Sequence, residues 1–320
     1  MSTSLPPRSN ASRPRRPAPG RTAPGRTAPG RTAPGRSNRR PTSRAVRPVA
    51  AKSPLELGLD AAAELSAIAS AEDVPTFAQL GLPDRLVSAL TRRGMSAPFA
   101  IQARALPDAI AGRDVLGRAQ TGSGKTLAFG LPMLARLHGV PRVPKAPHGL
   151  VLVPTRELAQ QVNDALAPLA QSLDLKVTTV YGGASMGRQI DQLRRGIDIV
   201  VATPGRLQDL IKQGACDLSQ VRITVLDEAD HMADLGFMPA VTALLDLTPT
   251  TGQRLLFSAT LDRGVDKLAL RYLKDPAMHA VAAAATNVDT MDHVVFAIQR
   301  DAKVTIAAEI AARPARTLFF

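Results

Sequence analysis

The sequence predicts an α/β protein whose core is a parallel β-sheet with helices on both faces. From about residue 75 onward, short apolar and β-branched runs alternate with longer helical stretches. Strands buried on both faces are apolar along their length, and a helix between successive strands is what a parallel connection requires. We expect the strands at 114–118, 150–153, 177–181, 197–202, 223–226 and 255–258. We expect the helices at 124–138, 156–172, 186–194, 205–213, 237–246 and 263–272.

The formal net charge of +13 is confined to an N-terminal tail. Residues 1–52 hold 13 Lys and Arg residues and no Asp or Glu, whereas the remaining 268 residues hold 27 basic and 27 acidic side chains. Residues 18–36 repeat the tetrapeptide APGR four times, and sequence of this kind cannot bury enough apolar surface to fold. We predict a disordered tail over 1–52. Two interpretations of it stay open, non-specific phosphate binding and a solvated tail without a selected role.

The composition excludes several classes of protein. The single cysteine, Cys216, cannot form an internal disulfide bond and is expected in the core. No apolar run reaches the ~18 residues of a transmembrane helix, and none near the start marks a secretory signal. Pro and Gly recur too often over 17–36 for the amphipathic helix of a transit peptide. We therefore predict a cytoplasmic protein without a membrane partner.

The strongest motif is AQTGSGKT at 119–126, which follows one predicted strand and opens a predicted helix. In that context the motif is a P-loop, whose glycines let backbone N–H groups point inward at a phosphate. The Lys125 ammonium would contact the β- and γ-phosphates, and the Thr126 hydroxyl would bind Mg²⁺. The predicted nucleotide contacts are Thr121, Gly122, Ser123, Gly124, Lys125 and Thr126.

An acidic tetrapeptide, DEAD at 227–230, follows the apolar run 221–226. Carboxylates at the end of a buried strand are expensive unless a ligand uses them. Asp227 is suited to holding Mg²⁺, usually through water, and Glu228 to orienting the attacking water. Taken alone, the acids also fit a helix N-terminus stabilised by the helix dipole. Beside a P-loop, we predict that Lys125, Asp227 and Glu228 are catalytic.

Together, AQTGSGKT and DEAD resemble the DEAD-box RNA helicases, a family of ATP-dependent RNA remodellers built from two RecA-like domains. The stretch GMSAPFAIQ at 94–102 resembles the family's adenine-reading motif, and Phe77 lies 17 residues before it, where the family has an isolated aromatic residue. The resemblance implies that Gln102 pairs with adenine and that Phe77 stacks on it. The sequence departs from the family's Pro-Thr-Pro-Ile-Gln form at Phe99 and Ala100.

Further matches imply an RNA track and a coupling element. The stretches PTRELA, GG and TPGR each follow a predicted strand, and helix N-termini and glycine turns offer N–H groups to phosphates. The resemblance implies RNA as partner, with 2′-hydroxyl contacts and little base preference. It also implies that Ser258, Ala259 and Thr260 couple ATP chemistry to strand separation, with hydroxyls bonded toward Asp230. The implied RNA-binding residues are Pro154, Thr155, Arg156, Glu157, Gly182, Gly183, Thr203, Pro204, Gly205 and Arg206.

The resemblance covers about residues 75–320. It implies a RecA-like ATP-binding domain over 75–287, preceded by a linker over 53–74 with room for a short helix. Residues 288–320 resemble the start of a truncated second RecA-like domain, which we expect to be loosely packed because most of its sheet is missing. Its elements are expected as a strand at 291–299, a helix at 301–312 and a strand at 316–320.

Three functions follow from these observations. The first is ATP-dependent RNA remodelling with ATP and Mg²⁺ as cofactors. The resemblance implies that the arginines that contact the γ-phosphate lie in the missing part of the second domain. Because an arginine supplied across a phosphoryl-transfer site is worth ~10³–10⁵ in rate, the chain alone is expected to turn ATP over slowly. The second is a turnover-deficient module that binds ATP and single-stranded RNA. The third is a P-loop ATPase that acts on something other than RNA, which DEAD, PTRELA and TPGR argue against.

Overall fold

The computed structural model describes residues 53–68, 75–120, 122–261, 263–281, 296–314 and 317. The tail predicted to be disordered, 1–52, lies outside the described residues, as does Thr121 of the P-loop.

Seven strands of the described residues form one sheet in the order β3-β4-β2-β5-β6-β1-β7. All six strand pairings are parallel. The strands are β1 (Val115–Arg118), β2 (Gly149–Leu152), β3 (Val177–Val180), β4 (Ile199–Ala202), β5 (Ile223–Asp227), β6 (Gln253–Ser258) and β7 (Ala277–Ala280). Because β2, β4, β5 and β6 are buried along their whole length, the predicted parallel α/β class is confirmed.

Eleven helices of the described residues connect and cover these strands. They are α1 (Pro54–Ile68), α2 (Asp84–Arg92), α3 (Ala100–Ile110), α4 (Lys125–Leu137), α5 (Arg156–Gln171), α6 (Met186–Arg194), α7 (Pro204–Lys212), α8 (Ala229–Asp234), α9 (Met238–Asp246), α10 (Arg263–Tyr272) and α11 (Lys303–Ala311). No described helix combines the length and the hydropathy that a bilayer crossing needs.

Two hydrophobic cores lie on opposite faces of the sheet. Alternate residues of one strand point to opposite faces, so Val225 joins the core under α2–α5, whereas Leu226 joins the core under α1 and α6–α10. Cys216 is buried in the second core, as predicted. This three-layer arrangement leaves the two ends of the strands, and the loops that follow them, as the places where a site can form.

The described fold extends beyond the predicted elements at both ends. The segment predicted as a linker with room for a short helix contains the 15-residue helix α1, which packs on β7 and so belongs to the folded body. Leu59 is fully buried, and Asp60 Oδ1 pairs with Arg118 Nη2 at 2.6 Å. Strand β7, with the sequence AMHA, was not predicted because it has no β-branched residue. Helices α2, α3 and α8 were not predicted either.

The C-terminal segment is described only in part. Helix α11 lies within the helix predicted at 301–312, and none of its residues is buried. Residues 296–299 of the strand predicted at 291–299 have no regular structure, while 291–295 lie outside the described residues. The strand predicted at 316–320 also lies outside them, apart from Thr317.

Gly117 of β1 leaves room for an aromatic pair, and its substitution gives a first prediction. A Cβ at Gly117 would lie 2.5 Å from the ring of Phe257, which packs against Phe129 at 5.7 Å between centroids. Overpacking a core costs about 1–3 kcal/mol, so we expect Gly117→Ala to lower the unfolding free energy by that amount in urea denaturation. The control is Gly187→Ala in α6, where an added Cβ meets nothing within 4 Å. Equal stabilities of the two variants would contradict this packing argument.

Candidate functional site

The motif residues lie at the C-terminal ends of the strands and form two neighbouring groups. Strands β1, β6 and β5 are adjacent in the sheet, and the loops after them carry what we call the P-loop half: residues 119–126, 258–260 and 227–230. Strands β2, β4 and β3 are adjacent on the other side, and the loops after them carry the outer half: residues 154–157, 203–206 and 182–184. The order of the strands therefore brings together motifs that are far apart in sequence.

The P-loop has the backbone that a phosphate-binding loop needs. Gly122 and Gly124 have φ angles of 85° and 88°, a region that is strained for residues with a Cβ. A Cβ at Gly124 would also collide with the side chain of Gln102 and the ring of Phe99. The Gln102 amide is engaged at both ends, since Nε2 donates to the Gly124 carbonyl at 3.0 Å and Oε1 accepts from the Phe99 N–H at 2.9 Å. The predicted adenine reader is thus fastened to the loop.

Lys125 and Asp227 place opposite charges in a buried part of the P-loop half. Lys125 is 6% exposed, and its Nζ has no hydrogen-bond partner among the described residues. Asp227 is 2% exposed, and burial raises its pKa to about 6, although the charge of Lys125 opposes the shift. A buried ammonium without a hydrogen-bond partner and a buried carboxylate are both costly. Both side chains are therefore suited to a ligand that brings an anion and a cation together.

Glu228 occupies a strained position beside Asp227. Its φ of 53° is in the left-handed region, where a non-glycine residue is held only at a cost, and such residues cluster at functional sites. Its N–H donates to Asp227 Oδ1 at 3.0 Å. Its Oε2 lies 3.2 Å from His231 Nδ1, a contact that sequence reasoning missed. The only signal for that contact was the i,i+3 spacing on a short helix.

Asp230 joins the acidic segment to the end of β6. Its Oδ2 accepts from both the N–H and the hydroxyl of Thr260, each at 2.9 Å, and its own N–H donates to Ser258 Oγ at 3.2 Å. The hydroxyl contacts that the resemblance implies are therefore present. Burial acts to raise the pKa of Asp230, but the hydrogen bonds from Thr260 and Ser258 outweigh it and hold the pKa below its ordinary value.

The lowered pKa of Asp230 makes the Thr260 contact dependent on pH. We expect Thr260→Ala to lower the unfolding free energy at pH 7 by about 1 kcal/mol, whereas Thr260→Ser keeps the hydroxyl and most of the stability. A carboxyl whose pKa is depressed in the folded state stabilises above its unfolded pKa and loses that contribution as the pH falls through the folded value. The difference between the wild type and Thr260→Ala should therefore shrink below about pH 4 in urea denaturation. A difference that stays constant down to pH 2 would contradict the assignment.

The outer half is tied together around one arginine. Arg206 Nη1 donates to the Ala184 carbonyl at 3.1 Å and to Gln189 Oε1 at 3.4 Å. Gln189 is buried and donates in turn to the Tyr181 carbonyl at 3.1 Å. The turn with Gly182 and Gly183, both exposed, is held between these contacts. Gln189 was missed by sequence reasoning because nothing in its local sequence marks it.

A groove of about 540 Å³ lies beside this turn, lined by Arg156, Glu157, Tyr181 and Gly183 among others. Arg156 Nε and Glu157 Oε1 form an ion pair at 2.5 Å, and this hydrogen bond lowers the pKa of the Glu157 carboxyl.

Thr155 caps α5, with Oγ1 accepting from the Leu158 N–H at 3.1 Å. In α7 the first residue is Pro204, the position where proline is favoured, and Thr203 and Gly205 flank it. Pro154 lies between β2 and Thr155.

Phe77 lies apart from the exposed part of the site. It is 3% exposed and belongs to the core under α2–α5. The ring predicted to stack on adenine therefore has little free surface, and stacking on it would require a local opening. Of the six predicted nucleotide contacts in the loop, all but Thr121 lie among the described residues.

The parallel sheet, the P-loop after β1 and the acidic pair after β5 define a RecA-like P-loop nucleotide-binding domain. The chain belongs to the DEAD/DEAH box helicase family, whose sequence model matches residues 99–268, more than half of the chain.

Relatives in plants and bacteria carry the same stretch. The chain is 45% identical to DEAD-box ATP-dependent RNA helicase 9 of Oryza sativa subsp. japonica over 213 residues, 66% of this chain and 33% of that protein. It is 43% identical to ATP-dependent RNA helicase DeaD of Mycobacterium tuberculosis over 236 residues, 72% and 41% of the two chains. It is 41% identical to RNA helicase CrhR of Synechocystis sp. over 229 residues, 70% and 45%. In these three matches the chain spans between a third and under half of the relative's length.

Proposed function

We propose that this chain is the ATP-binding part of an ATP-dependent RNA helicase, which hydrolyses ATP with Mg²⁺ and remodels RNA. The observation that carries the proposal is the buried Lys125 ammonium, which has no hydrogen-bond partner among the described residues and lies close enough to the buried Asp227 to affect its pKa. The relatives are named ATP-dependent RNA helicases or RNA helicase, which supports the choice of ATP and RNA.

The residues of the P-loop half fit a nucleotide with its metal ion. The loop amides from Gly122 to Lys125 and the Lys125 ammonium would hold phosphate oxygens, and Gly124 is compatible with the close approach of a ligand. Thr126 and Asp227 would hold Mg²⁺, which neutralises phosphate charge when it is bound. The described residues contain no group of three or more His, Cys, Asp and Glu side chains suited to a metal. Mg²⁺ would therefore take most of its ligands from phosphate and water, as it commonly does.

Glu228 is our proposed general base, and Asp230 with Ser258, Ala259 and Thr260 our proposed coupling element. Glu228 lies next to Asp227, so a water near the metal would be within its reach. Asp230 is hydrogen-bonded to Ser258 and Thr260. A movement of residues 227–230 would therefore also move the end of β6. Gln102 is our proposed adenine-recognising residue, and it would exchange its hydrogen bond to the Gly124 carbonyl for hydrogen bonds to adenine.

We propose that RNA binds along the outer half, through its phosphates. Arg156 lies beside Gly183, and Arg206 donates a hydrogen bond to the carbonyl of Ala184, the next residue. Two guanidinium groups therefore border the same glycine turn. Exposed glycine N–H groups and the N-termini of α5 and α7 would add backbone donors. Contacts of this kind recognise the sugar–phosphate backbone, so we expect little dependence on base sequence.

The RNA proposal predicts a change in the salt dependence of binding. Arg156→Ala should weaken binding of a labelled single-stranded RNA and reduce the slope of log K against log salt by about 0.7, because one phosphate contact is lost. The matched control is Arg271→Ala, since Arg271 on α10 also forms an exposed ion pair, with Asp246 of α9 at 3.1 Å. Fluorescence anisotropy at several salt concentrations measures both quantities. If Arg156→Ala leaves the slope unchanged, Arg156 does not contact phosphate.

We propose the domain limits and the location from weaker observations. Residues 75–287 are proposed as the ATP-binding domain, with α1 packed on it, and 288–320 as the start of a second domain; the absence of buried residues in α11 supports that division. The cytoplasm is proposed as the location, on the support of one cysteine, which is free and buried.

A further inference from the structure

A small polar cavity lies at the end of the sheet opposite to the P-loop half. It has a volume of about 290 Å³, and its walls come from the segments that precede β1, β5 and β6 and from the last turn of α4. Because all the strands are parallel, their starts lie at the edge of the sheet away from the P-loop. None of the residues proposed to bind nucleotide or RNA lines this cavity.

Two arginines line the cavity without a partner in the described protein. Neither the Arg136 nor the Arg222 guanidinium forms a hydrogen bond or an ion pair with a described residue. Burial lowers the pKa of Arg136, with no opposing contribution from a carboxylate. The described lining contains no Asp or Glu, and Asp217, which lies just outside it, accepts the N–H and the hydroxyl of Ser219. A cleft lined by charges of one sign attracts counter-ions.

One wall of the cavity is built closely around Arg136. Gly112 has a φ of 90°, and a Cβ added there would collide with the Arg136 guanidinium. Gln253, at the start of β6, is buried, and its Nε2 donates to the carbonyls of Ala109 at 2.9 Å and Arg113 at 2.6 Å. These hydrogen bonds hold the loop around Gly112 against the sheet, so the backbone that Arg136 packs against has a fixed position.

A second wall, the loop before β6, is held by a buried guanidinium. Arg254 is 5% exposed, and it donates from Nη2 to the Pro249 carbonyl at 2.9 Å and from Nη1 to the Gly252 carbonyl at 3.2 Å. Both acceptors belong to residues that line the cavity. Burial lowers the pKa of Arg254, and the charge of Asp114 opposes that shift. The wall is therefore fastened by a cation, which adds positive charge next to the cavity.

Phosphate is the anion that fits these groups best. A guanidinium presents two parallel N–H donors to a carboxylate or a phosphate. A carboxylate brings one negative charge, whereas a phosphate group at pH 7 carries about −1.5 to −2 and offers three acceptor oxygens, so phosphate balances two arginines at once. Thr251 also lines the cavity, and its hydroxyl has no described partner. The volume is below the roughly 300–1,000 Å³ of pockets for drug-sized ligands, which indicates a small occupant.

We propose that this cavity is a binding site for a phosphate dianion, held between the Arg136 and Arg222 guanidinium groups. The phosphate is either the free ion or the terminal group of a phosphomonoester. The inference does not depend on the proposed function, because no residue of the P-loop half or of the outer half takes part in it.

Amide NMR spectra distinguish this site from the P-loop in a single titration. We would titrate the 320-residue chain with sodium phosphate at constant ionic strength, with the Gly112 and Gly252 amides reporting on the cavity and the Gly124 amide on the P-loop. Arg222→Gln should weaken binding measured at Gly112 and Gly252 about tenfold and leave binding at Gly124 unchanged. Lys125→Met should have the opposite pattern.

Further variants separate binding from folding. Arg136→Gln should weaken phosphate binding as Arg222→Gln does. Because neither guanidinium has a described partner, both variants should unfold at the temperature of the unchanged chain. Arg271→Gln is the matched control, since Arg271 is an exposed arginine on α10 that pairs with Asp246 and does not line the cavity. Titration with O-phosphoserine distinguishes the sources: binding of both ligands means that the cavity accepts monoesters, and binding of inorganic phosphate alone means that it takes the free ion.

Three results would each overturn the inference. The first is that phosphate moves the Gly112 and Gly252 signals no more than sodium chloride does. The second is that Arg222→Gln and Arg271→Gln bind phosphate equally well at these amides. The third is that N-acetylaspartate, which carries carboxylates only, binds there as tightly as phosphate. A missing response at Gly124 would instead count against the proposed nucleotide site.

Discussion

Lys125→Met is expected to weaken the binding of ADP with Mg²⁺ by about 100-fold while leaving the fold intact. The ammonium is buried and has no hydrogen-bond partner among the described residues. We therefore expect its main interaction to be with a phosphate of the bound nucleotide. Methionine has a similar length and no charge. Because the Lys125 ammonium has no hydrogen-bond partner among the described residues, its removal also removes the cost of burying an unsatisfied charge.

The same variant should therefore unfold at an unchanged or higher temperature. Burial already raises the pKa of Asp227, and the loss of Lys125 would raise it further, so that Asp227 would take up a proton rather than remain a buried carboxylate without a cation. Lys212→Met, at the exposed end of α7, is the control for removing a lysine as such. A large fall in the unfolding temperature would mean that Lys125 stabilises the fold through Asp227. An unchanged affinity for ADP would remove the main support for the nucleotide site.

The alternation of apolar strands and helices was enough to predict the central part of the fold. Strands β2 and β4 are apolar throughout and β5 is apolar except at Thr224 and Asp227, so the hydrophobic effect places all three inside a covered sheet. Strand β7 carries no such signal. It is a strand because β1 offers it an edge and α1 covers it, and both are tertiary contacts.

The candidate site divides in a similar way. The P-loop and the acidic pair could be predicted because each depends on a local backbone arrangement after a strand. The contacts of Gln189 with Arg206 and of His231 with Glu228 could not, because they depend on side-chain geometry that the spacing does not determine. The burial of Phe77 belongs to the second kind as well. An isolated phenylalanine has the same sequence signature in a core as in a binding site.

The acidic pair also makes a prediction about turnover that is distinct from binding. Glu228→Gln should bind ATP as the unchanged chain does, because glutamine has the same shape and the side chain is not among the residues proposed to hold phosphate. It should lose any RNA-stimulated ATP hydrolysis by a factor of about 10²–10⁴, since an amide cannot accept the proton of the attacking water. The measurement is phosphate release with and without single-stranded RNA.

Glu309→Gln provides the control for this variant, because Glu309 is an exposed glutamate of α11 that belongs to neither half of the site. Hydrolysis by Glu228→Gln at the rate of the unchanged chain would exclude Glu228 as the general base. A third outcome is that the unchanged chain and Glu228→Gln both bind ATP and neither releases phosphate above background. The described residues would then form a nucleotide-binding site that lacks the positive charges needed for phosphoryl transfer. Glu228 would then have to be tested with arginine supplied from outside this chain, because a base accelerates the reaction only when the phosphate charge is also stabilised.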